Sequence, residues 1–356
     1  MGSKIRGGNG GFSTKKNARS WTCRSRQEID SRILKFSSKR RFGVELEMSN
    51  NISRSQLKKA IELATNESIR VCQHNLSSDL MFWDLKYDTS CGVLGSDGPS
   101  GIEMASRICC GIKDLRKIMQ VGKVLSNAGS SVNDNCGLHV HVDVSDFNES
   151  EIGSMILYWM LVESVLVYAM PSRRLNSKYC KMLLGTYDQL ILSTMHKMGN
   201  YDKIAALFYP EDGILNINDA KRRTLNINNF YFANQNCIKH RNTVEFRWPE
   251  GSLDSKDIMA WVMIFVSFVD FVKSNSSFPS TLFSKRISLE QTLCLLGIGH
   301  GNKFRIFDSS VLYVRKWILQ RIIDNEIIPT IEHILVQNDI KKNAKTLLDK
   351  YNIYRG

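Results

Sequence analysis

Four short segments of this chain alternate apolar with polar residues, and their polar positions hold side chains that bind metal ions and phosphate. In Phe42-Gly43-Val44-Glu45-Leu46-Glu47-Met48 the even positions are apolar and the two later odd ones acidic, so a strand carries both glutamates on one face. Leu138-His139-Val140-His141-Val142-Asp143-Val144 points two imidazoles and a carboxylate one way and four aliphatic side chains the other. Val244-Glu245-Phe246-Arg247-Trp248 sets a carboxylate and a guanidinium opposite three apolar groups, and Trp83-Asp84-Leu85-Lys86-Tyr87-Asp88 is a fourth, weaker case. One wet face is ordinary in an antiparallel sheet, but such a face more usually shows Lys, Thr, Ser and Gln. If these strands share a sheet, its polar face is a cluster of metal and phosphate ligands, backed by an apolar face covered with helices.

Carboxylates gathered in a partly dry cavity repel one another unless cations neutralise them, and a divalent ion is the natural counter-charge. A site rich in carboxylate oxygen with one or two imidazoles suits Mg²⁺ or Mn²⁺ better than structural Zn²⁺, which favours Cys and His in a closed tetrahedron. Mg²⁺ with open positions goes with a phosphate-bearing substrate. Arg247, two residues from Glu245, is a planar donor fork for phosphate oxygens or a developing acyl phosphate. The chain has neither a Gly-x-x-x-x-Gly-Lys-Ser/Thr loop nor a Gly-x-Gly-x-x-Gly after a strand. A nucleotide would therefore be held by metals and side chains on a sheet.

Each feature also has a plainer reading. Glu45 and Glu47 could line a solvated strand face, the histidines could be half-buried imidazoles, and Glu245 with Arg247 could be a structural ion pair. Cys136, beside the histidines, is read as a small buried apolar residue in preference to a nucleophile. His74, His196, His240, His300 and His333 sit in no repeating context and are read as structural or surface residues, and Trp83, Trp159, Trp248 and Trp261 as core.

The periodicity predicts a strand at 42–48, a helix at 53–66, strands near 81–88 and 101–106, a helix at 112–128, a strand at 137–144 and a long helix at 149–170. A mixed region runs to 220, followed by strands at 224–232 and 242–248 and a helix at 254–273. From Ser274 the pattern is mainly helical, for instance 309–323 and 330–350. With 356 residues, 43% of them apolar, the chain can bury a substantial core. The apolar runs Met155–Met170 and Met259–Val272 are shorter than the roughly 20 residues of a bilayer crossing, so they are read as buried helices and no membrane is expected. Of the formal charge of +13, residues 1–41 hold +10, with twelve Lys/Arg against Glu28 and Asp30. Residues 1–20, rich in Gly, Ser, Asn and cations, cannot bury enough surface to offset the entropy of ordering. Nine cysteines without a Cys-x-x-Cys pair, and a basic start without an apolar stretch, fit a reducing cytoplasm.

Four motifs occur in a fixed order: Phe42 to Glu47, Asp88-Thr89-Ser90 followed by Gly101-Ile102-Glu103, Cys136-Gly137-Leu138-His139-Val140-His141, and Thr243-Val244-Glu245-Phe246-Arg247. Together they resemble the amidoligases, phage and microbial members of the carboxylate-amine ligase superfamily that includes glutamine synthetase and glutamate-cysteine ligase. Single motifs of this kind arise by chance, and the ordered set is the specific signal. The resemblance implies an α+β fold in which an antiparallel sheet curves around the active-site cavity with helices on the opposite face. The catalytic domain would span 42–273, with a basic, disordered arm at 1–41 and a helical C-terminal extension at 274–356.

The same resemblance implies that ATP enters one end of the cavity and the amine the other, the γ-phosphate passing to a substrate carboxylate before the amine attacks. Carried over by motif, Glu45, Glu47, Glu103 and His139 would be metal ligands and Glu245 would complete a second metal. His141 would touch ATP phosphate, and Arg247 would stabilise the transferring phosphoryl group. Asp88 would bind metal or take the proton of the amine. Arg223 and Asn226 resemble a later Arg/Asn element that contacts substrate or nucleotide. One position departs from glutamine synthetase, which commonly has another Arg two residues before the Glu of the last strand; here that residue is Thr243.

The leading reading is a ligase dependent on ATP and Mg²⁺ (or Mn²⁺) that joins small-molecule or peptide carboxylate and amine substrates. The alternative from another enzyme class is a metal-dependent hydrolase in which Glu45, Glu47, His139 and His141 activate water. A third reading leaves the sheet idle and makes the chain a nucleic-acid or virion-associated binding protein acting through residues 1–41, with weak, sequence-indifferent contacts; a solvated tail is the plainer account of that arm. The expected location is the cytoplasm, that of a host if the chain is phage-encoded, and relatives of this kind often form oligomers.

Overall fold

A computed structural model describes residues 38–72, 81–92, 100–175, 177–183, 222–230, 242–278, 282, 287–299, 309–325 and 339–353. The basic segment up to residue 37, most of the mixed region before 220, the first part of the expected 330–350 helix and the five isolated histidines lie outside the described residues.

All four alternating segments enter one sheet. Its strands are β1 (Arg41–Asn50), β2 (Ile69–Val71), β3 (Trp83–Tyr87), β4 (Ser100–Ala105), β5 (Cys109–Cys110), β6 (Leu138–Asp143), β7 (Leu225–Asn226) and β8 (Thr243–Phe246). The order is β2-β3-β4-β1-β6-β8-β7, with β5 against the start of β1. Every pairing is antiparallel except that of β2 with β3. The register decides the chemistry, because directly opposed residues share a face. Glu103 lies between Lys86 and Glu47, Glu45 opposes His139, and His141 opposes Glu245, which opposes Asn226. The strand expected at 224–232 is only two residues long. Asn226 Oδ1 accepts the Asn228 N–H at 3.0 Å and turns the chain into a helical stretch.

The other face is apolar. Phe42, Val44, Leu46 and Met48 of β1, Val140 and Val142 of β6, and Val244 and Phe246 of β8 are all buried. The helices are α1 (Arg54–Thr65), α2 (Gly111–Asn127), α3 (Glu149–Leu166), α4 (Ser172–Leu175), α5 (Ser255–Ser274), α6 (Leu289–Leu295), α7 (Ser309–Asp324) and α8 (Ile340–Ile353). Helices α1 and α3 begin at capping boxes, Ser53 with Gln56 and Asn148 with Glu151, which satisfy the first free N–H groups and fix where each helix starts. Helix α3 and its one-turn continuation, Glu149–Ala169, are long and apolar enough to cross a membrane, yet nearly all of that stretch is buried inside the fold. Trp159 of α3 meets Phe246, Phe265 and Phe268 edge-on at 4.9, 5.9 and 5.4 Å, and Phe246 stacks on Phe265 at 4.4 Å. This aromatic packing pins β8 from behind while its front carries Glu245. The four tryptophans expected in the core are buried.

Helices α7 and α8 contribute Val314, Ile318, Leu319, Ile322, Ile340, Ala344 and Tyr351 to the same core. Trp317 meets Trp261 edge-on at 5.2 Å. At the other end of the chain Arg40 bridges Asp270, Asp146 and the Asp143 carbonyl, each at 2.7 Å, and Arg41 pairs with Asp143 at 2.8 Å. The last two cations of the basic segment are thus tied to the sheet and to α5.

Candidate active site

The strand pattern brings Glu45, Glu47, His139, His141, Glu245, Arg247 and Asn226 together on the polar face. His139 is the hub. Its Nδ1 lies 3.3 Å from Glu45, 3.5 Å from Glu47 and 3.6 Å from Glu245, so carboxylates from β1 and β8 converge on one imidazole of the strand between them. His141 Nε2 stands 3.2 Å from Glu45 and 3.9 Å from Glu245. Arg247 Nη1 donates to Glu245, whose other oxygen accepts Asn226 Nδ2 at 2.7 Å. His139, Glu47, Glu245 and Asn226 are each less than 10% exposed.

Glu103 is in register with Glu47, but its carboxylate accepts Lys86 Nζ at 2.9 Å. Asp88 follows β3. Its Oδ1 accepts the Ser90 backbone N–H and hydroxyl at 2.8 and 2.6 Å, and its Oδ2 lies 3.4 Å from the Cys91 thiol. Arg223 stands just before β7, beside Thr224, whose carbonyl accepts the Arg247 N–H at 2.9 Å. Ligand atoms of Glu45, His141 and Glu245 lie within 4.8 Å of one another, and so do those of Glu47, Asp88 and Cys91.

Sequence reasoning missed three contributors. Gly137 N–H donates to Glu47 at 2.6 Å, and a Cβ at Gly137 would sit 2.5 Å from His139 Nε2, so the bare backbone is what lets both ligands approach. Buried Arg174 donates to the carbonyls of Trp248, Arg247 and Cys136 at 3.1, 2.7 and 3.5 Å, tying the end of β8 to the approach to β6. Lys86 was visible on the polar side of its alternating segment, yet nothing in the spacing says that it faces Glu103. Cys136, read as buried, is buried.

Burial and charge pull these groups apart in protonation. Burial alone would raise Glu45, but His141 and His139 outweigh it and hold its carboxyl well below the usual range. Glu245 is lowered in the same way, burial being overcome by Arg247 and His141. Glu103 goes the other way, pushed up to about 7 by burial and by repulsion from Glu45 despite Lys86. His141 is raised, because the attraction of Glu45 and Glu245 exceeds the effect of burial.

The donor set fits a divalent ion. It offers carboxylate oxygens and imidazole in a largely buried cluster that is predominantly acidic. Arg247 Nε is buried without a hydrogen-bond partner, and His141 Nε2 is buried against the carboxylates of Glu45 and Glu245. A buried guanidinium N–H left without an acceptor points to a ligand that accepts hydrogen bonds.

The protein is thus an α+β protein whose mostly antiparallel sheet carries an acidic, imidazole-bearing face with helices behind it. A family model described as "Putative amidoligase enzyme" matches residues 38–269, which hold every described strand and the whole cluster. The chain belongs to this family, whose name denotes amide-bond-forming ligases. No curated protein matches it. Among solved structures, the crystal structure of the complex between prokaryotic ubiquitin-like protein Pup and its ligase PafA is similar at 9% identity and a TM-score of 0.27, over 90% of this chain and 64% of that one. The chain therefore spans less than two thirds of that relative's length.

Proposed function

We propose that this protein joins a carboxylate to an amine at the expense of ATP, with Mg²⁺ or Mn²⁺, through an acyl phosphate. The observation that carries this reading is the convergence of three carboxylates from two strands within 3.6 Å of His139 Nδ1, in a chain of the amidoligase family. Glu45, Glu47, His139 and Glu245 would hold the ion, which would supply positive charge to offset that of the phosphates. Arg247, whose buried Nε has no hydrogen-bond partner, and His141, which Glu45 and Glu245 hold in its charged form, donate to phosphate oxygens. Asn226 fixes Glu245, and Arg223, just before β7, contacts nucleotide or substrate.

In the first step a substrate carboxylate oxygen attacks the γ-phosphorus and the bond to ADP breaks. In the second the amine nitrogen attacks the acyl carbon, the carbon–oxygen bond to phosphate breaks, and inorganic phosphate leaves. Asp88 takes the proton released by the amine. The acid and the amine are small molecules or peptide groups.

Purified protein incubated with ATP, Mg²⁺ and pooled carboxylates and amines should yield condensation products by mass spectrometry, with ADP and phosphate in step. Omitting ATP should stop all product. Metal-dependent hydrolysis of an amide without nucleotide would replace this reading with the hydrolase.

A further inference from the structure

Helix α7 lies beyond the residues that the family model matches, yet it reaches the polar face through one carboxylate. Arg321 of α7 donates from Nη2 to Glu250 and from Nε to the Ala169 carbonyl at 3.1 Å, and Arg173 donates to the other oxygen of Glu250. Glu250 is thus held from two sides by charge-assisted bonds, with less than a fifth of its side chain exposed. Its backbone partner is Gly137. The two residues form an antiparallel bridge, flanked by the Leu138 N–H on the Pro249 carbonyl at 3.3 Å and the Gly251 N–H on the Cys136 carbonyl at 2.9 Å. Gly137 in turn holds Glu47 twice, donating its N–H to the carboxylate at 2.6 Å and accepting the Glu47 N–H at 3.2 Å. An unbroken run of polar contacts therefore leads from α7 to a carboxylate of the candidate site.

We propose that Arg321 is a positioning residue: acting through Glu250, it holds the backbone at Gly137 so that the Gly137 N–H fixes the Glu47 carboxylate in the site. Helix α7 then belongs to the working unit and is more than a cover for its core. This role rests on the place of Glu47 in the site proposed above and on no step of the reaction. A merely structural ion pair predicts lower stability and no change at Gly137 or Glu47. Asn325, which follows α7, bonds the Tyr168 and Met170 carbonyls and so anchors the same helix by a route that bypasses Glu250.

Two readouts on the full chain separate the accounts: amide hydrogen exchange of peptides that contain Gly137, and Mn²⁺ titration followed by electron paramagnetic resonance of the free ion. Arg321→Met and Glu250→Ala should each speed exchange at Gly137 and weaken Mn²⁺ binding about five- to tenfold. The double variant should do no worse than either single one, since both cut the same relay. Arg321→Lys should restore most of both readouts. Asn325→Ala should lower the unfolding midpoint and leave both at wild type. Circular dichroism confirms folding, and Arg321→Gln replaces the Met variant if that fails to fold. Wild-type values of either readout in Arg321→Met, equal losses in Asn325→Ala, or additive losses in the double variant overturn the inference. If exchange responds as described but no form binds Mn²⁺, the metal site and the ligase reading fall and the hold on Glu47 stands. Mn²⁺ bound as described without any condensation product sinks the ligase reading alone.

Discussion

At the scale of residues the site turns on His139, an imidazole that touches three carboxylates. Removing Glu45 or His139 as alanine should cost about two orders of magnitude or more in divalent-ion affinity, and comparably in turnover. Isothermal titration with Mn²⁺ reads the first, and unchanged affinity would remove these residues from the metal site. Glu103 supplies a pH signature. Its folded value, about 7, lies above the roughly 4.3 of an unfolded glutamate, so the fold gains stability from its proton at low pH and loses it as pH rises through about 7. His141 is also raised and acts in the same sense; the lowered Glu45 and Glu245 act only at more acid pH. The metal-free unfolding midpoint should therefore fall between about pH 6 and 8. Glu103→Gln should flatten that fall, which differential scanning fluorimetry would detect. The identities of these groups were legible because carboxylate and imidazole recur at period two. The Lys86–Glu103 pair was not, since register between strands is set by the ladder and leaves no mark in spacing.

At the scale of elements, placing the ligands depends on what holds the strands. Gly137 opens β6 with no room for a side chain against His139 and Glu47. Gly137→Ala should leave the circular dichroism spectrum intact while weakening Mn²⁺ binding by about tenfold or more; normal affinity would show that the approach is not tight. Arg174→Met should cost about 2–4 kcal/mol in chemical unfolding, because three carbonyls lose a buried charged donor. A loss below about 0.5 kcal/mol would mean that water replaces the guanidinium. The period of the apolar residues located most of the elements to within a few residues, α3 and α5 among them. It failed at β7, where the side chain of Asn226 turned a run that reads as strand.

At the scale of the whole molecule, the C-terminal helices share the core of the sheet. Ending the chain at residue 308 would remove Val314, Ile318, Leu319 and Ile322 from that core, each worth about 1.5–3 kcal/mol. The total approaches the whole stability of an ordinary domain, so the truncated chain should be insoluble or unfolded by circular dichroism. A soluble, folded product would mark the helices as separable. The sequence pattern named these segments as helices, but it could not say that α7 packs on α5 and α8 on α7, because the contacts are made by residues far apart in the chain.

The reading as a whole is tested most directly by following oxygen. With a carboxylate pool labelled with ¹⁸O, ATP, Mg²⁺ and amines, label should pass from the acid into the released inorganic phosphate in proportion to amide formed, and Glu45→Ala should abolish both. Phosphate released without label, or product formed equally well by the variant, would contradict the account.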